Sequence, residues 1–179
     1  MTRRVALLGL SGVGKSTLIG RVNKRRPVLH LQASGLIKAE QAHRKQQSED
    51  SESLRLGAVV DNQALMVAAF RRAAAATALP IVFDGHSVID GRDGLVEIPS
   101  SVFAELEVST IFYLSADPNV IAARRLADAA RDRPERNAEV LAEHQRFAHD
   151  TARLIAKEIR CAFIPVADGD VCRILAAIG

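Results

Sequence analysis

The chain has 179 residues, 48% of them hydrophobic and 25% charged, with a formal net charge of +3. That length makes one domain with a full core, and so small a basic excess does not require a polyanionic partner. With no Trp and a single Tyr there is no stacking platform for single-stranded nucleic acid, and Arg71-Arg72 interrupts the most apolar region before it reaches membrane-spanning length.

In chain order, the apolar run after Met1-Thr2-Arg3-Arg4 is too short for a signal peptide. Val5 to Leu8 instead reads as a buried parallel strand. It leads into Gly9-Leu10-Ser11-Gly12-Val13-Gly14-Lys15-Ser16-Thr17, which fits the phosphate-loop pattern G-x-x-x-x-G-K-[ST]. Glycines at these positions let successive N–H groups converge on one concavity, and the helix that opens at Thr17 adds its partial positive charge. Lys15 supplies a point charge for β- and γ-phosphates, and Ser16 a hydroxyl for Mg²⁺. The stretch implies a nucleoside triphosphate site.

Pro27 starts a new segment, with a strand at Val28 to Leu31 and a loop at Ala33-Ser34-Gly35. The polar run from Leu36 to Ser53 is expected to form a solvent-facing helical flap. Leu56 to Ala78 reads as a long helix packed on the sheet, ended by Pro80. A third strand, Ile81 to Asp84, is followed by a glycine-punctuated loop at Asp90 to Gly94. A short helix from Pro99 to Glu107 and a strand at Thr110 to Leu114 come next. Asp117-Pro118 is a helix start, with Asp as N-cap and Pro at the first helical position. This helix is expected to reach Ala130, before Arg131 to Arg136 breaks it. A helix from Ala138 to Ile159, a strand at Ala162 to Val166 and a helix from Val171 to Ile178 complete the chain. Alternating strands and helices imply an α/β fold around a parallel sheet, in one domain spanning 1–179. Cys161 and Cys172 lie outside any metal-ligand spacing and read as small core residues of a reducing, cytoplasmic protein.

Asp84 ends a buried strand, where ligands bind in open parallel sheets. An apolar run ending in Asp suits a water-mediated Mg²⁺ ligand, although a turn-forming Asp fits the same pattern. Gly85-His86-Ser87 is not the D-x-x-G of a GTPase, and Asn23-Lys24 lacks the Asp of guanine recognition. Arg124, Arg125, Arg131 and Arg133 flank a Pro-containing break; they suit a cationic clamp on polyphosphates or a solvated basic surface. Arg55 terminates the polar run and could pair with an acceptor phosphate. His86 and His144 read as hydrogen-bonding residues without a proton-transfer role.

The order of phosphate loop, polar flap, Val82-Phe83-Asp84-Gly85-His86, Ile98-Pro99, Arg124-Arg125, Arg131-Asp132-Arg133 and Glu143-His144-Gln145 resembles the archaeal-type adenylate kinases, P-loop nucleoside monophosphate kinases. The resemblance implies a three-layer α/β/α fold with a five-stranded parallel sheet, the acid-bearing strand beside the phosphate-loop strand. It implies a helical acceptor flap over residues 32–65 and a short arginine lid over 124–137. Gly9, Gly12, Val13, Gly14, Lys15, Ser16 and Thr17 would hold ATP, with Mg²⁺ on Ser16 and, through water, on Asp84. Ser34, Gly35, Arg55 and His86 would serve the acceptor AMP, and Lys15, Arg124, Arg131 and Arg133 the transfer itself. The sequence departs from the family pattern at Gly85, where a hydroxyl residue is usual, and at Ser11, where proline is common. It departs again across Asp90 to Gly94, which lacks a Thr-Pro. Three functions follow as expectations: MgATP + AMP ⇌ 2 ADP, a small-molecule kinase with another acceptor, and a nucleotide-driven assembly factor or ATPase. Oligomeric state is left open by the sequence.

Overall fold

A computed structural model describes residues 2–47, 59–91, 94–128 and 134–179. Arg55, Arg131 and Arg133, with the middle of the expected lid and part of the expected flap, lie outside the described residues. Five strands form one sheet: β1 (Arg4–Leu8), β2 (Leu29–Gln32), β3 (Ile81–Asp84), β6 (Thr110–Leu114) and β7 (Ala162–Val166). Their order is β2-β3-β1-β6-β7, and every pairing is parallel. The acid-bearing β3 therefore lies beside the phosphate-loop strand β1, in register from Arg4–Ile81 to Leu7–Asp84.

Burial explains the order. β3 and β6 are buried at every position and β1 at all but its first, as strands covered on both faces must be. The edge strands β2 and β7 are only partly buried, and β7 tolerates Pro165 because an edge position needs no N–H on its outer side. Helices α1 (Lys15–Arg25) and α7 (Val171–Ile178) pack together, as do α3 (Val59–Ala75), α4 (Ser100–Glu105) and α6 (Ala138–Glu158). On the α3–α4 side Phe83 meets Phe70 and Phe103 edge-to-face, with ring centroids 6.0 and 6.4 Å apart. Two caps behave as their sequences require. Asp117 accepts from the Asn119 N–H at 2.8 Å to start α5 (Pro118–Ala127), and Asn137 accepts from Val140 N–H at 2.9 Å to start α6.

Three local expectations are corrected. Ala33-Ser34-Gly35 is not a loop but the first turn of α2 (Ala33–Gln47); β2 extends to Gln32 and runs straight into the helix. Asp90 to Gly94 is not a plain loop either. Val88–Gly91 (β4) and Gly94–Glu97 (β5) pair antiparallel as a small separate sheet. Cys161 is only partly buried and Cys172 is exposed, because α7 turns the latter outward while Val171 and Ile174 take the core positions.

Helices α2 and α3 are joined through a buried charge. Glu40 is 3% exposed and accepts from Arg44 at 3.0 Å and from Arg72 across the interface. The Arg72 hydrogen bond, aided by Arg44, holds its carboxyl below the ordinary range despite burial. A depressed carboxylate stabilises the fold above its unfolded pKa and loses that contribution as pH falls through the folded value. Glu40→Gln is therefore expected to destabilise by about 2 kcal/mol at neutral pH. In urea melts from pH 7 to pH 3 the gap to wild type should close below about 4.5; a pH-independent gap would locate the cost in packing.

Candidate active site

The site begins where β1 ends. Gly9 has φ of +151°, and a Cβ there would stand 2.6 Å from the Leu114 carbonyl oxygen. That neighbour is backbone and cannot swing aside. Gly14, at φ +108°, caps α1 without a side-chain hydrogen bond, and the helix's first turn carries no acidic residue. The leading N–H groups of α1 and its dipole are thus left for an anion.

Lys15 is buried and folded onto the loop, its Nζ donating to the carbonyls of Gly9 at 2.9 Å and Leu10 at 3.2 Å. It also stands 3.8 Å from Asp84 Oδ1. Ser16 Oγ donates to Asp84 Oδ2 at 3.0 Å, and His30 Nε2 approaches the same oxygen at 3.2 Å. Burial alone would raise the Asp84 pKa, but the His30 hydrogen bond, the Lys15 charge and Ser16 together hold it low. Asp84 is an anion. Among the described residues, no three His, Cys, Asp or Glu side chains gather as a dedicated metal site. The Ser16 hydroxyl and Asp84 carboxylate are, however, a hard-oxygen pair of the type that shares Mg²⁺ with phosphates and water.

His86 Nδ1 lies 2.7 Å from the Gly9 carbonyl, so this nitrogen carries the proton. Burial, and then the Lys15 charge, push its pKa down to about 3. The ring is neutral and its other nitrogen holds only a lone pair. His86 can therefore accept a hydrogen bond in the cleft but has no second N–H for a phosphate. Gly85 has its own cause, because a Cβ there would come within 2.4 Å of the Phe83 ring. The wedged position of Phe83 between Phe70 and Phe103 excludes a hydroxyl residue at 85.

Across the loop, Arg124 Nη1 donates to the Val13 carbonyl at 2.9 Å and stands 3.1 Å from where a Cβ on Gly14 would be. Its charge lies over the junction of loop and helix. The bend that launches α5 is held by Gln145, whose side-chain amide pairs with both backbone groups of Ala116 at 3.0 Å each. Tyr113 fixes Gln145 in turn, donating to its carbonyl at 2.9 Å.

These groups border a cleft of about 710 Å³. Gly12, Gly14, Lys15, Ser16, Thr17, Asp84, His86 and Arg124 line it, and Ser34 lines its β2–α2 side; Gly35 is exposed on α2. Gln32 and Lys38 also line that side, neither having been singled out by sequence. His30 was missed because nothing in Val28-Leu29-His30-Leu31 distinguishes a ligand of Asp84 from an edge-strand histidine. Asp90 was missed because its flanking glycines read as loop, although apolar runs on either side of Gly91 and Gly94 were a hairpin signal.

A family model described as an AAA domain matches residues 8–142. The chain is 33% identical over 144 residues to an adenylate kinase of Thermococcus onnurineus, covering 79% of this chain and 74% of that one. It is 29% identical over 165 residues to an adenylate kinase of Methanoculleus marisnigri, covering 89% and 86%. In three dimensions it is similar to a sugar kinase from a Janibacter species, with a TM-score of 0.53 at 17% identity, covering 99% and 95%. Identity that low speaks for the fold alone.

Proposed function

This chain belongs to the adenylate kinase family, within the AAA-domain P-loop proteins, and on that premise we propose that it is a phosphotransferase catalysing MgATP + AMP ⇌ 2 ADP. The observation that carries the reading is the arrangement around α1. Lys15, an uncapped helix N-terminus and Arg124 converge on one side of a cleft whose other side is bordered by Gln32, Ser34 and Lys38.

Phosphoryl transfer needs little covalent help from protein, so positioning and charge stabilisation supply the catalysis. The α1 amides and the loop glycines would cradle the donor phosphates. Lys15 would exchange its bonds to Gly9 and Leu10 for the β- and γ-phosphates. Ser16 would hold Mg²⁺ and Asp84 would hold it through water, and the ion would supply charge neutralisation at the donor phosphates. Arg124 would bridge donor and acceptor from above, joined by Arg131 and Arg133, while Arg55 and Ser34 would meet the monophosphate. His86, kept neutral, would add no repulsion or attraction of its own and hold the Gly9 carbonyl. We place the flap at 32–65 and the lid at 124–137 of a single domain. The two free cysteines suit the reducing cytoplasm, and no helix among the described residues is long and apolar enough to cross a membrane.

The test is a coupled assay of ATP with each nucleoside monophosphate and a panel of hydroxylated acids and sugars. ADP formation that requires AMP and yields two ADP per turnover is the expected result. Transfer only to a non-nucleotide, or hydrolysis of ATP with no acceptor, would overturn the reading.

A further inference from the structure

Beside the phosphate loop lies a second charged cluster that the transfer as described does not use. Asp90, on the hairpin strand β4, has a side chain 9% exposed. Its Oδ2 accepts from Arg125 Nη1 at 2.9 Å and stands 3.7 Å from His144 Nδ1, while its Oδ1 accepts from Arg136 Nε at 3.3 Å. Arg125 is as buried as Asp90 and is held at both ends, because its Nε donates to the Ser11 carbonyl of the phosphate loop at 3.0 Å. Its side chain also covers the loop, with Cγ 3.1 Å from where a Cβ on Gly12 would be. Arg136 donates a second bond to the Gly91 carbonyl at 3.2 Å. Among the described residues His144 Nδ1 is buried with no hydrogen-bond partner, and Asp90 is a polar neighbour it faces.

Arg124 and Arg125 are adjacent in sequence, yet they are committed differently. Arg124 stands over Gly14, at the mouth of the anion site. Arg125 borders the same cleft, but its guanidinium is tied to the Ser11 carbonyl and to a carboxylate. A guanidinium so near a triphosphate would move onto the phosphates if nothing opposed it, since planar donors match phosphate oxygens well. Resting on the kinase reading above, we propose that Asp90 is a positioning residue for phosphoryl transfer. It fixes the Ser11–Gly12 limb of the loop through Arg125, and it withholds Arg125 and Arg136 from the nucleotide, leaving the phosphates to Lys15, Arg124 and the lid arginines.

The proposal demands two effects of opposite sign when the carboxylate is lost. Removing a negative charge beside a polyanion site raises affinity for the polyanion, the more so at low salt. Releasing Arg125 misplaces the loop and allows an unproductive contact, which slows turnover even where binding improves. An anion that merely stabilised the fold would give neither. The experiment measures ATP affinity by calorimetry without acceptor at low and high salt, and turnover with ATP and AMP, for wild type, Asp90→Asn and Asp90→Glu. Expected are ATP binding about threefold tighter in Asp90→Asn at low salt, turnover about tenfold lower, and recovery of at least half the turnover in Asp90→Glu. Turnover within twofold of wild type, or weaker ATP binding alongside slow turnover, overturns the proposal; so does Asp90→Glu performing no better than Asp90→Asn. Should Asp90→Asn fail to fold, Arg125→Lys replaces it: one ammonium cannot span both Ser11 and Asp90, so turnover should again fall about tenfold, and wild-type turnover overturns the idea. If wild type binds ATP but transfers nothing to AMP, it is the kinase reading that fails. The calorimetric arm then decides for Asp90 on its own, tighter binding supporting it and unchanged or weaker binding overturning it.

Discussion

Lys15→Ala is expected to lower turnover by about 10²–10³-fold while leaving the thermal midpoint within a few degrees of wild type. The first half follows from the chemistry of transfer, where a positioned charge is the main thing the protein contributes at the β- and γ-phosphates. The second half is less obvious, because Lys15 is buried and donates to two loop carbonyls. Both carbonyls keep another donor when it is gone. Gly9 retains the His86 Nδ1–H at 2.7 Å, and Leu10 retains the Val13 N–H at 3.3 Å. Asp84 likewise keeps Ser16 and His30. None of these three groups is orphaned, so the usual penalty for deleting a buried donor does not arise at them. Removing the ammonium also relieves part of the pressure that keeps His86 neutral. Paired measurements of kcat and thermal midpoint check this. Near-normal turnover would mean that the loop does not hold the donor; a collapsed midpoint would mean that Lys15 is needed to fold it.

What could be read from the sequence was what repeats locally or follows from one-residue chemistry. Apolar runs gave the central strands, since β1, β3 and β6 are buried on both faces and leave no alternation to misread. Gly9 and Gly14 were legible because their backbone angles and close contacts exclude side chains. Asp117-Pro118 was legible as a cap because capping is a two-residue event. What stayed hidden depends on groups far apart in sequence. His30 meets Asp84 across 54 positions, and Asp90 meets Arg125 across 35. Only the β2-β3-β1 order and the folding of the hairpin over α5 create those pairs. Ser34 and Gly35 read as a loop because their composition favours turns, but the helix dictated by Leu36, Ile37 and Glu40 on α2 extends back over them. Gly85 departs from the hydroxyl residue usual in the family, and only the packed Phe83 ring supplies a steric reason for it.

Asp84→Asn separates the two roles that this carboxylate could have. Its Oδ2 already accepts from Ser16 and His30, and its charge offsets that of Lys15 at 3.8 Å. Were it only an anchor for these three residues, the amide would loosen ATP binding by the same factor with Mg²⁺ present or chelated. As a metal ligand acting through water, it acts on one of those conditions alone. Asn keeps the size and one acceptor, so the Ser16 hydroxyl retains a partner, but it lacks the charge that orders water around a divalent ion. The expected result is a fall of about 10²–10³-fold in turnover. The ratio of ATP affinities with Mg²⁺ and with chelator should collapse toward one, while metal-free binding stays within about threefold of wild type. Restoring the charge one methylene further out, in Asp84→Glu, should recover part of the metal dependence and little of the turnover, because positioning at a phosphoryl centre tolerates about an ångström at most. A full Mg²⁺ effect in Asp84→Asn would remove Asp84 from the metal site and leave it as the residue that aligns β3 with the start of α1.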